Sequence, residues 1–227
     1  MRAFSEVWRS TIFTKWVMAI TGIMLVLFLV AHLSGNLLVF LGAEHTNAYA
    51  VELREMLHGS AIWVARSGLV VAFILHILSA FSLASRNRAA RPEKYVKVEP
   101  RRSTLASRTM LLSGTMLLVY LLYHLAHFTW GIAHPDYSHH VDALGRHDVY
   151  RMVVESFHEP LIAILYIVAM ILMGMHLNHA VSSAFQTLGI TNPRVTPVIR
   201  TIGPALGLLL TLGFSSIPVA ILFGLVK

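Results

Sequence analysis

Thirteen histidines and no cysteine stand in this chain of 227 residues, and six of the histidines fall inside long apolar runs: His32, His76, His124, His127, His176 and His179. An ionisable side chain in hydrocarbon is costly and by default marks function. Imidazole there can ligate a metal, relay a proton or bridge two helices. A lone histidine would suit the bridging role as well as any other; four apolar runs that each carry one favour ligation. The missing cysteines exclude thiolate-held iron–sulfur clusters and c-type haem attachment, so any redox centre needs other ligands.

The elements that must position these rings are membrane spans. With 56% hydrophobic residues, 13% charged residues and a mean hydropathy of +0.67, the chain is too apolar for a soluble domain and is predicted to be an all-α, multi-pass membrane protein. Five runs match the roughly 20 residues that cross a bilayer, near 17–41, 61–84, 109–131, 160–182 and 202–226, in a single domain covering 1–227. Trp8, Trp16, Trp63 and Trp130 stand at their edges as an interfacial belt. No cleavable leader is expected, because the first run outlasts a signal h-region. The net charge of +7 comes from loops, which argues for topology and against nucleic acid. Lys and Arg gather at the N-terminus (Arg2, Arg9, Lys15), between Arg86 and Arg108, and at Arg194 and Arg200, which predicts a cytoplasmic N-terminus. The stretch AYAVELREMLHG within 42–60 is an amphipathic helix of about three turns lying over the bundle mouth. HPDYSHH starts the second outer loop as irregular chain, and Gly203, Gly207 and Gly213 suit the fifth span to close packing. No sequence repeat is obvious.

Depth sorts the histidines. His32 lies 16 residues beyond Trp16 and His124 lies 16 beyond Arg108, roughly 24 Å in each case, so these two should be level. His76 and His176 lie roughly 10–12 Å from the opposite ends of their spans and should also be level. Two pairs, stacked roughly 12–14 Å apart, suit two six-coordinate b haems inside the first four helices. Zinc and copper want three or four clustered ligands, and a proton relay wants buried acids, which the spans lack. Depth favours His124 over His127 and His176 over His179, but each pair is spaced i, i+3 and the alternative stays open.

These residues sit in AHLSGNLLVF, NAYAVEL, LHILSAFSLASRNRAARPEKY, LASRTMLLSG, YHLAHFTWG and MHLNHAVSSAFQTLG, which follow one another over nearly the whole chain. In this the chain resembles the five-helix, two-haem cytochrome b subunits of succinate dehydrogenase and fumarate reductase. The resemblance implies His32 and His124 as ligands of the outer haem iron and His76 and His176 as ligands of the inner one. It implies a flavoprotein partner that handles the dicarboxylate and an iron–sulfur partner on the cytoplasmic face, with the basic segment 86–108 as a docking surface. The expected role is that of an electron-transfer anchor in succinate:quinone oxidoreductase in the cytoplasmic (inner) membrane. Quinol:fumarate reductase is the same assembly run backwards, and a haem-binding membrane protein without quinone chemistry is the alternative; assembly of the complex into a higher oligomer is compatible with all of them.

Quinone, menaquinone rather than ubiquinone, should enter where apolar walls meet a few polar groups. Inner-side candidates are Ser107, Arg108 and Gln186 with Lys15 and Trp16; outer-side candidates are Glu52, His58 and Arg66. Glu52 occupies the place where menaquinone-using relatives carry an acid near the outer haem, which makes it the expected group for proton exchange with quinone. Some relatives also carry a glutamate two residues before the fourth ligand. Here that position is Gly174.

Overall fold

The computed structural model describes residues 10–90 and 108–227, and within them the chain is mostly helical and forms no strand beyond an isolated bridge between Val141 and His147. Ser107, Trp8 and the segment 91–107 lie outside the described residues. Five helices are long and apolar enough to cross a membrane: α1 (Thr11–Asn36, prolonged by a 3-10 turn to Leu41), α3 (Ser60–Ala89), α4 (Met110–His124, prolonged by a π-helical turn Leu125–Thr129), α7 (Pro160–Thr187) and α8 (Thr196–Leu222). Between α1 and α3 runs α2 (Ala43–Glu55), and between α4 and α7 run α5 (Pro135–Ser138) and α6 (Val149–His158).

The spans outrun their apolar cores for local reasons. The Ser10 side chain accepts from the Phe13 amide at 3.4 Å, so α1 starts six residues before 17. Pro160 and Pro197 occupy first-turn positions where a missing N–H costs nothing. Left-handed Gly189 and Gly224 follow the ends of α7 and α8. HPDYSHH, expected to be irregular, forms the single turn α5, because Pro135 preorganises it and the Ser138 hydroxyl donates back to the His134 carbonyl at 3.0 Å. Leu27, Val71, Val119 and Leu209 are exposed mid-span, an apolar surface that suits lipid contact.

α1 packs on α3 and on α7, and α4 packs on α7 and only lightly on α3. That cyclic order sets α1 across from α4 and α3 across from α7. α8 lies outside this ring of four, against α7 and α1. Small residues carry the contact. A Cβ on Gly203 would come within 2.7 Å of the Asn178 carbonyl, one on Gly207 within 2.7 Å of the Gly174 carbonyl, and one on Gly213 within 2.6 Å of Leu33. At Gly174 a side chain would meet Thr211, whose hydroxyl donates across to the Met170 carbonyl at 3.0 Å. The absence of a glutamate at this position thus has a packing reason: α8 takes up the space.

The loops cap one end of the bundle. Asn47, 1% exposed on α2, donates to the Asp148 carboxylate at 3.0 Å and to Asp142 at 3.4 Å, and accepts from the Tyr150 amide at 3.0 Å. Arg146 donates to both oxygens of Glu44, at 3.0 and 2.7 Å, and to Asp142 at 2.7 Å. The bonds from Arg146 hold the Glu44 carboxyl below its ordinary value of 4.5. Burial works against ionisation of Asp142, but the bonds from Arg146 and the Leu144 amide outweigh it and keep that carboxyl below 3.8. A depressed carboxyl contributes stability above its unfolded value and loses it as pH falls through the folded one. Between about pH 4.5 and the lower folded values, the 139–148 loop should therefore detach from α2 while the spans persist. Amide exchange on this loop at pH 3 against pH 6, corrected for intrinsic rate, checks this: equal protection at the two would contradict it.

Candidate functional site: paired histidines inside the bundle

The cyclic order of helices brings the four single histidines together as two diagonals. His32 on α1 and His124 on α4 have ring centroids 6.0 Å apart with planes at 84°. A metal about 2.0–2.1 Å from each of two imidazole nitrogens sets those nitrogens about 4 Å apart and the ring centres about 6 Å apart. By the same helix order, His76 on α3 and His176 on α7 stand on the other diagonal.

Each ring of the second diagonal is seated on the helix beside it. The His76 Nδ1 lies 3.2 Å from the Met18 carbonyl and 3.3 Å from the Thr21 hydroxyl, both on α1. A carbonyl can only accept, and Thr21 already donates to the Val17 carbonyl at 2.6 Å, so Nδ1 carries the proton. The His176 Nδ1 lies 3.1 Å from the Ser113 hydroxyl on α4, which itself donates to the Met110 carbonyl at 3.1 Å, so here too Nδ1 carries the proton. Next to each hydroxyl comes a glycine that makes room. A Cβ on Gly22 would stand 3.2 Å from the His76 Cε1, and one on Gly114 would stand 3.3 Å from the His176 Cε1. Fixing Nδ1–H leaves Nε2 with a lone pair and no proton, the state a metal requires.

On the first diagonal, the Nδ1 of His124 faces the Tyr166 hydroxyl of α7 at 3.4 Å. His32 differs. The Asn36 Nδ2 donates one N–H to the His32 carbonyl at 2.7 Å and has a second to offer the His32 Nδ1 at 3.3 Å, so this Nδ1 faces a donor where the other three face acceptors. Phe28, stacked at 5.2 Å, and Phe214 at 5.8 Å flank the His32 ring. Among the described residues, the Nε2 atoms of His32, His76, His124 and His176 have no hydrogen-bond partner in the protein. One turn past His76, the buried Ser79 hydroxyl also lacks a partner. Nitrogen donors on four separate helices, one pair of them face to face, glycines clearing space beside the other pair and an unsatisfied hydroxyl nearby suit a flat metal macrocycle better than a bare ion. Among the described residues, no group of three or more His, Cys, Asp or Glu is placed to hold a metal ion.

The second members of the i, i+3 pairs go elsewhere. His127 is fully buried in the π-helical turn of α4, with Nδ1 3.0 Å from the Tyr166 hydroxyl and Nε2 2.9 Å from the Ser156 hydroxyl. Both of its nitrogens are therefore occupied. The His179 Nε2 pairs with Ser183 of its own helix at 3.2 Å.

At the end where α1 begins and α7 ends, Ile12, Lys15, Trp16, Ser183, Gln186 and Thr187 line a cavity of about 340 Å³. It joins Lys15, Trp16 and Gln186 as expected from the sequence and adds two hydroxyls. Arg108, exposed at the start of α4, does not line it. Glu52 and His58 are exposed at the capped end, and the exposed Arg66 lies over Trp63 at 5.3 Å. No hydrogen bond or ion pair joins Glu52, His58 and Arg66 to one another.

Sequence reading missed the backing groups, although a signal for them exists. Thr21-Gly22 precedes His32 by the same spacing at which Ser113-Gly114 precedes His124, eleven residues from hydroxyl to histidine in each case. Eleven residues rise about 16 Å, so α1 and α4 each carry a ligand for one level and a seat for the other. No protein-family profile, curated protein or solved structure matches the chain.

Proposed function

We propose that this chain is the di-haem cytochrome b subunit that anchors a succinate:quinone oxidoreductase in the cytoplasmic membrane, with an iron–sulfur subunit and a flavoprotein as partners. The observation that carries the haem reading is the imidazole geometry: two diagonals, with Nε2 unbonded on all four rings. His32 and His124 would hold one b haem, and His76 and His176 the other. A bound haem supplies a one-electron couple whose potential depends on axial ligation and burial.

The chain's own residues do the rest. Met18, Thr21, Ser113 and Tyr166 hold ring protons on Nδ1, so that three of the rings keep Nε2 as a free lone pair with which they would ligate a haem iron. Leu33, Met170, Met173 and Leu210 form a buried apolar cluster in the bundle that keeps water out. The cavity at Lys15 and Gln186 has the size of a small ligand pocket and combines an ammonium, an indole and an amide, groups that can orient a quinone carbonyl. Glu52 would exchange protons at the opposite end. Because the chain has no cysteine, it needs an iron–sulfur partner to receive electrons from a dicarboxylate oxidation. The same parts serve fumarate reduction when driven by quinol.

Purification through a tag on this chain from its native membrane tests the assignment. Co-purifying flavoprotein and iron–sulfur subunits, with succinate-driven reduction of a menaquinone analogue, are expected. A haem-bearing chain that purifies without them would favour a haem-binding protein of another kind.

A further inference from the structure

His127 has no place in the ligand pairs, yet it is 0% exposed and bonded at both nitrogens. The protons along its contacts can be assigned one by one. The Ser156 hydroxyl donates to the Met152 carbonyl at 2.7 Å, so towards His127 it can only accept, and Nε2 of His127 is the N–H. No carboxylate lies among the hydrogen-bond partners of this ring, so it is neutral and its Nδ1 must accept. The donor is the Tyr166 hydroxyl at 3.0 Å. Having spent its proton there, the Tyr166 oxygen accepts from the His124 Nδ1–H at 3.4 Å. Four hydrogen bonds thus run in one direction, from His124 through Tyr166, His127 and Ser156 to the Met152 carbonyl.

The two levels differ in this respect. Ser113 and Thr21 pass their protons straight to carbonyls of their own helices, one bond beyond the histidine. At His124 the acceptor is polarised by three successive hydrogen bonds where the other level has one, and aligned hydrogen bonds strengthen one another. The widened π turn turns His127 away from His124 and towards α6 and α7, where Ser156 and Tyr166 stand.

Resting on the haem reading above, we infer that Tyr166 and His127 are positioning residues that lock His124 as an Nδ1–H donor and lower the reduction potential of the centre between His32 and His124. A ligand imidazole that gives up part of its Nδ1 proton donates more strongly through Nε2 and stabilises the oxidised metal.

The test is potentiometric titration of the haem α band in the purified complex for wild type, Tyr166→Phe, His127→Leu and Ser113→Ala. Tyr166→Phe keeps the ring and removes one oxygen. It should raise the midpoint of the haem that His124→Ala eliminates, with up to a tenfold change in the oxidised-to-reduced ratio, about 59 mV for one electron, and leave the other haem unmoved. His127→Leu should move the same haem in the same direction by less, and Ser113→Ala should move only the other haem. If Tyr166→Phe loses its haem, His127→Leu carries the measurement. Two retained haems with unmoved midpoints, or movement of the wrong one, would overturn the inference. Absence of haem from the wild-type protein would instead overturn the reading on which it rests.

Discussion

Replacing His124 with Ala is expected to remove one of two haems per chain and leave the other spectroscopically intact, and His32→Ala is expected to have the same effect. The two rings meet at 6.0 Å from opposite helices, so under the proposed haem assignment losing either one would deprive the same iron of a ligand. His76→Ala and His176→Ala should each remove the second haem. His179→Ala should retain both, because its ring bonds to Ser183 within α7. The readout is haem per polypeptide by pyridine haemochrome, with the reduced-minus-oxidised spectrum showing which α component is lost. A His179→Ala protein with one haem would mean that α7 presents the wrong ring at the second level.

Gly207→Leu should lower stability as strongly as any single change outside the ligands. Its Cβ alone would stand 2.7 Å from the Gly174 carbonyl, and the obstacle is backbone, which cannot swing aside. Overpacking of this kind costs about 1–3 kcal/mol or more, and here it also parts the helix that carries His176 from its support. Thermal loss of haem absorbance in detergent should begin several degrees lower than in wild type, the outcome expected from a cost of that order. Leu209→Ala, at an exposed position two residues along the same helix, is the control and should melt like wild type. If Gly207→Leu melted with the control, the α7–α8 contact would not be what holds α8 in place.

Hydropathy made the five spans legible, because lipid demands runs of apolar residues, while their ends, set by local caps and first-turn prolines, lie up to six residues beyond those runs. The meeting of His32 with His124 was legible as well, since a helix converts residue number into depth at a fixed rise. What could not be read from one dimension is which ring nitrogen is engaged. That depends on Thr21, Ser113 and Tyr166 arriving from neighbouring helices, and apolar patterning is blind to a hydroxyl that faces inward. The π turn at Leu125–Thr129 was hidden for the same reason: it separates His127 from His124 by a change of helical pitch that i, i+3 spacing assumes away. The Asn47 network escaped because its partners lie about a hundred residues later in the chain.

The central claim is that paired imidazoles at two levels each hold a six-coordinate haem. Low-temperature electron paramagnetic resonance of the oxidised protein, quantified against polypeptide, tests it directly. The expected spectrum contains two low-spin ferric signals of bis-imidazole type, each integrating to about one spin per chain, since each pair supplies two nitrogen ligands to one iron. A single low-spin signal, a high-spin ferric signal of comparable weight, or no haem iron at all would contradict the account.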